Sequence, residues 1–157
     1  MPRGTVRNGA IRPKKGRVVI VASRFNAFVT RKLAEGARRA LIAGGIRPSG
    51  ITTLWTPGAF ELPVAAAWAV AAHRPCGVVA VGCLIKGKTP QYEAIGQAVA
   101  NGLMLVSVNE RVPVGFGVII AETTAQAEAR AGGRDGNRGA EAARAVLDVL
   151  NLQATHA

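Results

Sequence analysis

Chemistry in this chain is confined to a few short stretches. The most conspicuous is Gly82-Cys83-Leu84-Ile85-Lys86-Gly87-Lys88-Thr89. It has the phosphate-loop spacing: two glycines separated by four residues, then Lys and Thr. Lys88, the amides near Thr89 and the start of the next helix would together favour an anion. A magnesium-nucleotide site fits less well than a plain phosphate site. Cys83, Leu84 and Ile85 continue an apolar run, whereas a nucleotide cradle needs free amides. Pro90 removes a donor directly after Thr89, and no later strand ends in an Asp suited to magnesium. Four further stretches carry reactive or recognition-type residues: Ser23-Arg24-Phe25-Asn26, Pro57–Pro63, Phe116, and Arg130–Glu141.

The elements that must hold these residues are legible from apolar runs. Arg17–Ala22, Ile51–Trp55, Gly77–Leu84 and Val114–Ala121 read as strands. Helices are expected over residues 29–43, Glu61–His73, from about Thr89 to Val108, Thr124–Ala131 and Asn137–Leu150. Thr89 is expected to cap the third and Pro90 to fill its first turn. Gly132-Gly133 separates the last two helices. Strand and helix alternate, and the strands are solidly apolar. Both features predict a parallel sheet covered by helices on both faces. Ligands bind such sheets at the carboxyl ends of the strands. The loops at 23–28, 56–61, 84–91 and 121–124 are therefore the expected functional rim.

Composition narrows the class. The chain has 157 residues, 49% hydrophobic and 18% charged, which suits one globular domain. Its organisation is read as a basic flexible arm over residues 1–16, one domain over 17–151, and a tail over 152–157. No apolar run approaches the roughly 20 residues a bilayer needs, so no membrane association is expected and a cytoplasmic location is the default. Cys76 and Cys83 make no disulfide framework. Cys83 reads as a small buried hydrophobe rather than a nucleophile. The formal charge of +11 invites a nucleic-acid reading. No basic helix interleaved with aromatics supports it, so nucleic acid is not expected as a primary ligand.

Taken in order, the five stretches resemble the lumazine synthase family over roughly residues 16–150. The resemblance implies a flavodoxin-like, three-layer α/β/α fold on a four-stranded parallel sheet. It implies condensation of 5-amino-6-(D-ribitylamino)uracil with 3,4-dihydroxy-2-butanone 4-phosphate, releasing phosphate and water, with no metal or organic cofactor. It also implies a homo-oligomer, a pentamer or a 60-subunit icosahedral shell, with sites between neighbouring subunits. By position, Phe25 matches the aromatic stacked on the pyrimidine. Ala59, Phe60 and Glu61 match the segment binding ring and ribityl chain. Cys83, Leu84 and Ile85 match the strand end whose backbone reads the ring edge. Lys88 and Thr89 match the phosphate pair. Phe116 and Arg130 match groups donated by the adjacent subunit, Arg130 on the phosphate. Arg138 stands where the family usually has Lys, and Glu141 can pair with it.

One position departs from the family. Gln91 occupies the place of its catalytic histidine in Thr89-Pro90-Gln91. Glutamine hydrogen-bonds but does not titrate near neutral pH. The only histidines are His73 and His156, on neither expected ligand loop. Lys86 replaces a usual Arg, and Lys88 a small residue. An enzyme with reduced acid–base catalysis is the expectation. A shell-forming or ligand-binding paralogue without turnover is the alternative, and a phosphate-loop nucleotide-binding protein the second.

Overall fold

The computed structural model describes residues 16–156. The expected basic arm lies outside the described residues, except for Gly16. Strands β1 (Val18–Ser23), β2 (Ile51–Thr56), β3 (Gly77–Ile85) and β4 (Val114–Ala121) form one parallel sheet in the order β2-β1-β3-β4. This is the flavodoxin-like order without a fifth strand. Helices α1 (Ala27–Ala43), α2 (Leu62–His73), α3 (Gln91–Glu110), α4 (Thr124–Ala129) and α5 (Arg138–His156) provide the connections and the outer layers.

Strand period explains the two cores. Val18, Ile20 and Ala22 face one side of β1, where they pack with Leu33 and Ala37 of α1 and Ala142 and Val146 of α5. Val19 and Val21 face the other, against Leu62 and Ala66 of α2 and Val99 and Leu103 of α3. Each face of the sheet is thus sealed by two helices, as an all-parallel sheet requires. Central strands β1 and β3 are buried along nearly their whole length. The edge strands are less completely buried: β2 exposes Thr52 and Trp55, and β4 exposes Phe116 and Ile120. Among the described residues no helix is long and apolar enough to cross a membrane.

Several boundaries differ from expectation. Helix α1 starts two residues early, because Asn26 takes a left-handed conformation (φ 58°) that turns the chain directly into the helix. Thr89 does not cap α3. Pro90 is the N-cap, without a side-chain cap bond, and the helix begins at Gln91. Glu61 lies in a 3-10 turn (Ala59–Glu61) ahead of α2. The chain between the last two helices is a hairpin rather than a plain glycine break: β5 (Ala131–Gly133) pairs antiparallel with β6 (Gly136–Asn137). Helix α5 continues to His156, through residues read as a tail.

Candidate active site

The strand order reverses between β1 and β3, and the candidate site opens there. The last β1–β3 pair is Ala22 with Val81, yet β3 stays paired with β4 up to Ile85. One backbone edge over Cys83–Ile85 therefore faces the loop after β1 with no strand beside it. Asn26 reaches across this gap, its Nδ2 donating to the Cys83 carbonyl at 2.9 Å. The same loop is tied to the loop after β2: Arg24 N–H donates to the Thr56 carbonyl at 2.8 Å and Phe25 N–H to the Pro57 carbonyl at 3.1 Å. Three loops from distant parts of the chain thus form one rim.

Two aromatic rings stand open on that rim. Phe25 is 68% exposed and Phe60 63%. Burying a large apolar side chain gains about 1.5–3 kcal/mol; neither ring does so within this chain, so both are available to another surface. Ala59 is buried in the α2/α3-side core. Glu61 folds back, its Oε2 accepting from Gly58 N–H at 2.9 Å, and Thr56 Oγ1 donates to the Gly58 carbonyl at 2.8 Å. These bonds fix the turn that presents Phe60.

The Cys83 side chain points into the α1/α5 core and is 1% exposed. Burial pushes its thiol up to about 12. A thiolate nucleophile is thereby excluded near neutral pH, and Cys83 acts as the small hydrophobe that its setting suggests. Leu84 packs on the opposite, α2/α3 side. The strand continues to Ile85, so Cys83–Ile85 cannot wrap a nucleotide phosphate, and the phosphate-loop likeness ends there. Lys86, Gly87, Lys88, Thr89, Pro90 and Gln91 are exposed above the strand end. The loop is anchored by Lys86 N–H donating to the Ala121 carbonyl at 2.9 Å.

A second group of residues lies elsewhere. Phe116 sits on edge strand β4, half-exposed on the α3 side and in register with Ala80, below the strand ends. β4 is the immediate neighbour of β3, and at about 4.8 Å per strand it is roughly 14 Å from β2 at the far edge. Arg130 follows α4, in an open groove of about 770 Å³ that Lys32, Gln126, Glu128 and Arg134 also line. Its Nη1 donates to the Gln126 carbonyl at 3.3 Å and lies 3.8 Å from Asp135 Oδ2. Arg138 pairs with Glu141. The chain therefore gathers Phe25, Ala59, Phe60, Glu61 and the 83–91 segment at one rim. The hydrogen bonds and ion pairs of Arg130, Arg138 and Glu141 are made among themselves and their neighbours, and none reaches those rim residues.

Histidine cannot serve either group. Helices return the chain to the amino edge of the sheet, so His73 at the end of α2 and His156 at the end of α5 lie away from the rim. Among the described residues no three His, Cys, Asp or Glu side chains converge as a metal cluster would require.

Asn26 and Asn137 are the residues that sequence reasoning missed. Asn137 Nδ2 donates to the Lys32 carbonyl at 3.0 Å, while its Oδ1 accepts from Ala140 N–H at 3.0 Å and so caps α5. An Asn just before a helix is a usable cap signal. Its bond to a residue 105 positions away is not.

The 6,7-dimethyl-8-ribityllumazine synthase family model matches residues 15–154. A protein of that name from Gemmatimonas aurantiaca is 48% identical over 145 residues, covering 92% of this chain and 88% of its own length. One from Stenotrophomonas maltophilia is 44% identical, covering 89% and 90%. Another, from Xanthomonas campestris pv. campestris, is 43% identical, covering 92% and 94%. With the rim at the sheet's switch point and similarity along nearly the whole length, the chain belongs to the 6,7-dimethyl-8-ribityllumazine synthase family, the transferases of riboflavin biosynthesis.

Proposed function

We propose that this chain condenses 5-amino-6-(D-ribitylamino)uracil with 3,4-dihydroxy-2-butanone 4-phosphate, giving 6,7-dimethyl-8-ribityllumazine, phosphate and water. The observation that carries this reading is the unpaired backbone edge over Cys83–Ile85, flanked by the exposed rings of Phe25 and Phe60. A flat heterocycle needs such a place: π-faces to stack on and a row of peptide donors and acceptors to read its edge. Asn26 already holds the Cys83 carbonyl, and Leu84 turns its peptide groups toward β4, which leaves the backbone of Ile85 for the ring. Glu61 offers a carboxylate to ribityl hydroxyls.

Lys88 and Thr89 bind the phosphate together with Arg130 of a neighbouring copy, whose Phe116 closes the ring site. That no hydrogen bond or ion pair joins the two groups within one chain, among the described residues, supports this shared arrangement. The protein therefore acts as a homo-oligomer, a pentamer or a shell of 60 subunits, in the cytoplasm and without a metal or organic cofactor. Arg138 and Glu141 support the phosphate side from behind.

Gln91 shapes the rate. A well-placed acid or base contributes roughly 10²–10⁴-fold, and Gln91 cannot supply it. Holding two substrates in reacting geometry contributes up to about 7–11 kcal/mol. Amine–ketone condensation needs modest help, so positioning carries most of the acceleration, with water or the substrate phosphate moving protons. Mixing both substrates with the protein and following lumazine absorbance tests this directly. Wild type gives a rate above the uncatalysed reaction, and Gln91→His raises kcat by about 10²-fold or more. No rate above background, with ribityl-pyrimidine still binding, would replace this reading with a binding paralogue lacking turnover.

A further inference from the structure

The groove beside Arg130 is lined by one carboxylate, Glu128, and bordered by a second, Asp135, which faces the arginines. Asp135 Oδ2 lies 3.8 Å from Arg130 Nη1 and 3.8 Å from Arg134 Nε. Both distances exceed hydrogen-bond range, so the attraction is Coulombic and soft. The backbones on both sides are braced. Asp135 N–H donates to the Ala129 carbonyl and Arg138 N–H to the Arg130 carbonyl, each at 2.9 Å. Gly136, at φ 83°, lets the chain turn back tightly enough to form the β5–β6 hairpin. The carboxylate is thus held on a fixed tether, between two cations that line one groove.

We propose that Asp135 competes with the substrate's phosphate for Arg130 and sets the affinity of that site. The inference rests on the phosphate-binding reading of Arg130 given above. A phosphate dianion reaching Arg130 exchanges a long, shared ion pair for short, bidentate hydrogen bonds, and it must do so beside a fixed negative charge. When inorganic phosphate is released, the carboxylate offers the guanidinium a partner again. Asp135 does not touch the reacting atoms and is an affinity-setting residue.

The test uses the full chain in its native assembly, with inorganic phosphate as the probe and the phosphorylated substrate in the steady-state assay. Asp135→Asn removes the charge and keeps the shape; Asp135→Ala removes both. Each variant should bind inorganic phosphate about two- to fivefold more tightly at low salt, the range expected for an exposed ion pair. KM for the phosphorylated substrate should fall by the same factor with kcat unchanged. The gain should shrink as salt screens it, which a merely structural role would not produce. Unchanged or weaker phosphate binding in both variants, while Arg130→Ala weakens it, overturns the inference and leaves the reading of Arg130 intact. Unchanged phosphate binding in Arg130→Ala overturns that reading and the inference with it.

Discussion

The rim over β1 and β3 and the strap from Arg130 to Glu141 recognise by different physics. The rim is built from backbone. Its loops are joined by backbone hydrogen bonds of 2.8–3.1 Å, one asparagine spans the gap at 2.9 Å, and two rings stand exposed on it beside the loop over residues 86–91. The strap presents charges, each already facing another: Arg130 and Arg134 face Asp135, and Arg138 faces Glu141. The rings and peptide edge of this rim select by shape and hydrogen-bond pattern and respond little to salt. Such a strap selects by charge and is tuned by it. The proposed substrates divide the same way, into a flat heterocycle and a phosphate ester.

The strap's exposed tip rests on a buried root, and breaking the root should have the largest effect. A Cβ built on Gly139 would lie 2.0 Å from the Leu33 carbonyl oxygen, where α5 crosses α1. Backbone stands on both sides, so no rotamer change relieves the clash. Gly139→Ala should destabilise the protein by roughly 3 kcal/mol or more, at or beyond the upper end for overpacking. Denaturant melts would show it. A variant within about 0.5 kcal/mol of wild type would mean that the two helices slide apart easily, and that the strap has no rigid root.

The rim's weak point is Asn26, where two effects can be separated. Asn26→Gly keeps the left-handed backbone and loses the bond to Cys83; Asn26→Ala loses both. Loss of a bond to a part-buried carbonyl costs about 1–3 kcal/mol, and a non-glycine, non-Asn residue at φ 58° adds about 1–2 kcal/mol. Asn26→Ala should therefore be less stable than Asn26→Gly in melts. Both should raise KM for the ribitylaminouracil substrate, because the freed loop no longer fixes Phe25. Equal stabilities would show that the backbone conformation carries no strain.

How much of this could be read from the sequence depends on the range of the forces involved. Apolar runs placed all four strands of the main sheet, because burial acts locally. The β5–β6 hairpin was missed because three- and two-residue strands rich in glycine carry no apolar pattern. Edge positions such as Thr52 and Trp55 did not announce their exposure, since a propensity for strand says nothing about which neighbour is absent. In the candidate site, the rim residues were legible as ordered motifs. The tie that joins the rim, Asn26 to Cys83, and the one that roots the strap, Asn137 to Lys32, span 57 and 105 residues and left no local trace.

Cys83 sharpens the contrast through pH. The buried thiol stays protonated up to about 12, whereas in the unfolded chain it ionises at its ordinary value near 9.0. The stability that Cys83 contributes is therefore complete below pH 9 and declines as pH rises from there toward 12. The stability gap between wild type and Cys83→Ala should be constant from pH 6 to 9 and narrow above it, measured by urea melts. A constant gap to pH 11 would show that the thiol ionises in place and that this part of the rim's floor is wet.

The smallest effect should come from the pair that looks strongest. Arg138 and Glu141 are hydrogen-bonded at the start of α5, yet their side chains are 46% and 42% exposed. Solvent screens such pairs, and an i,i+3 helix pair is worth only about 0.3–0.5 kcal/mol. Glu141 also sits in the first helical turn, where the dipole favours it without Arg138. Glu141→Gln should therefore lower stability by less than about 1 kcal/mol, and Arg138→Gln by less still. Activity separates the two more clearly than stability. If Arg138 supports the phosphate side, Arg138→Gln raises KM for the phosphorylated substrate and leaves that for ribitylaminouracil unchanged, and added salt raises the wild-type value toward the variant's. Equal changes in both constants would mean that the strap and the rim are mechanically coupled, and that the division between charge and shape does not hold.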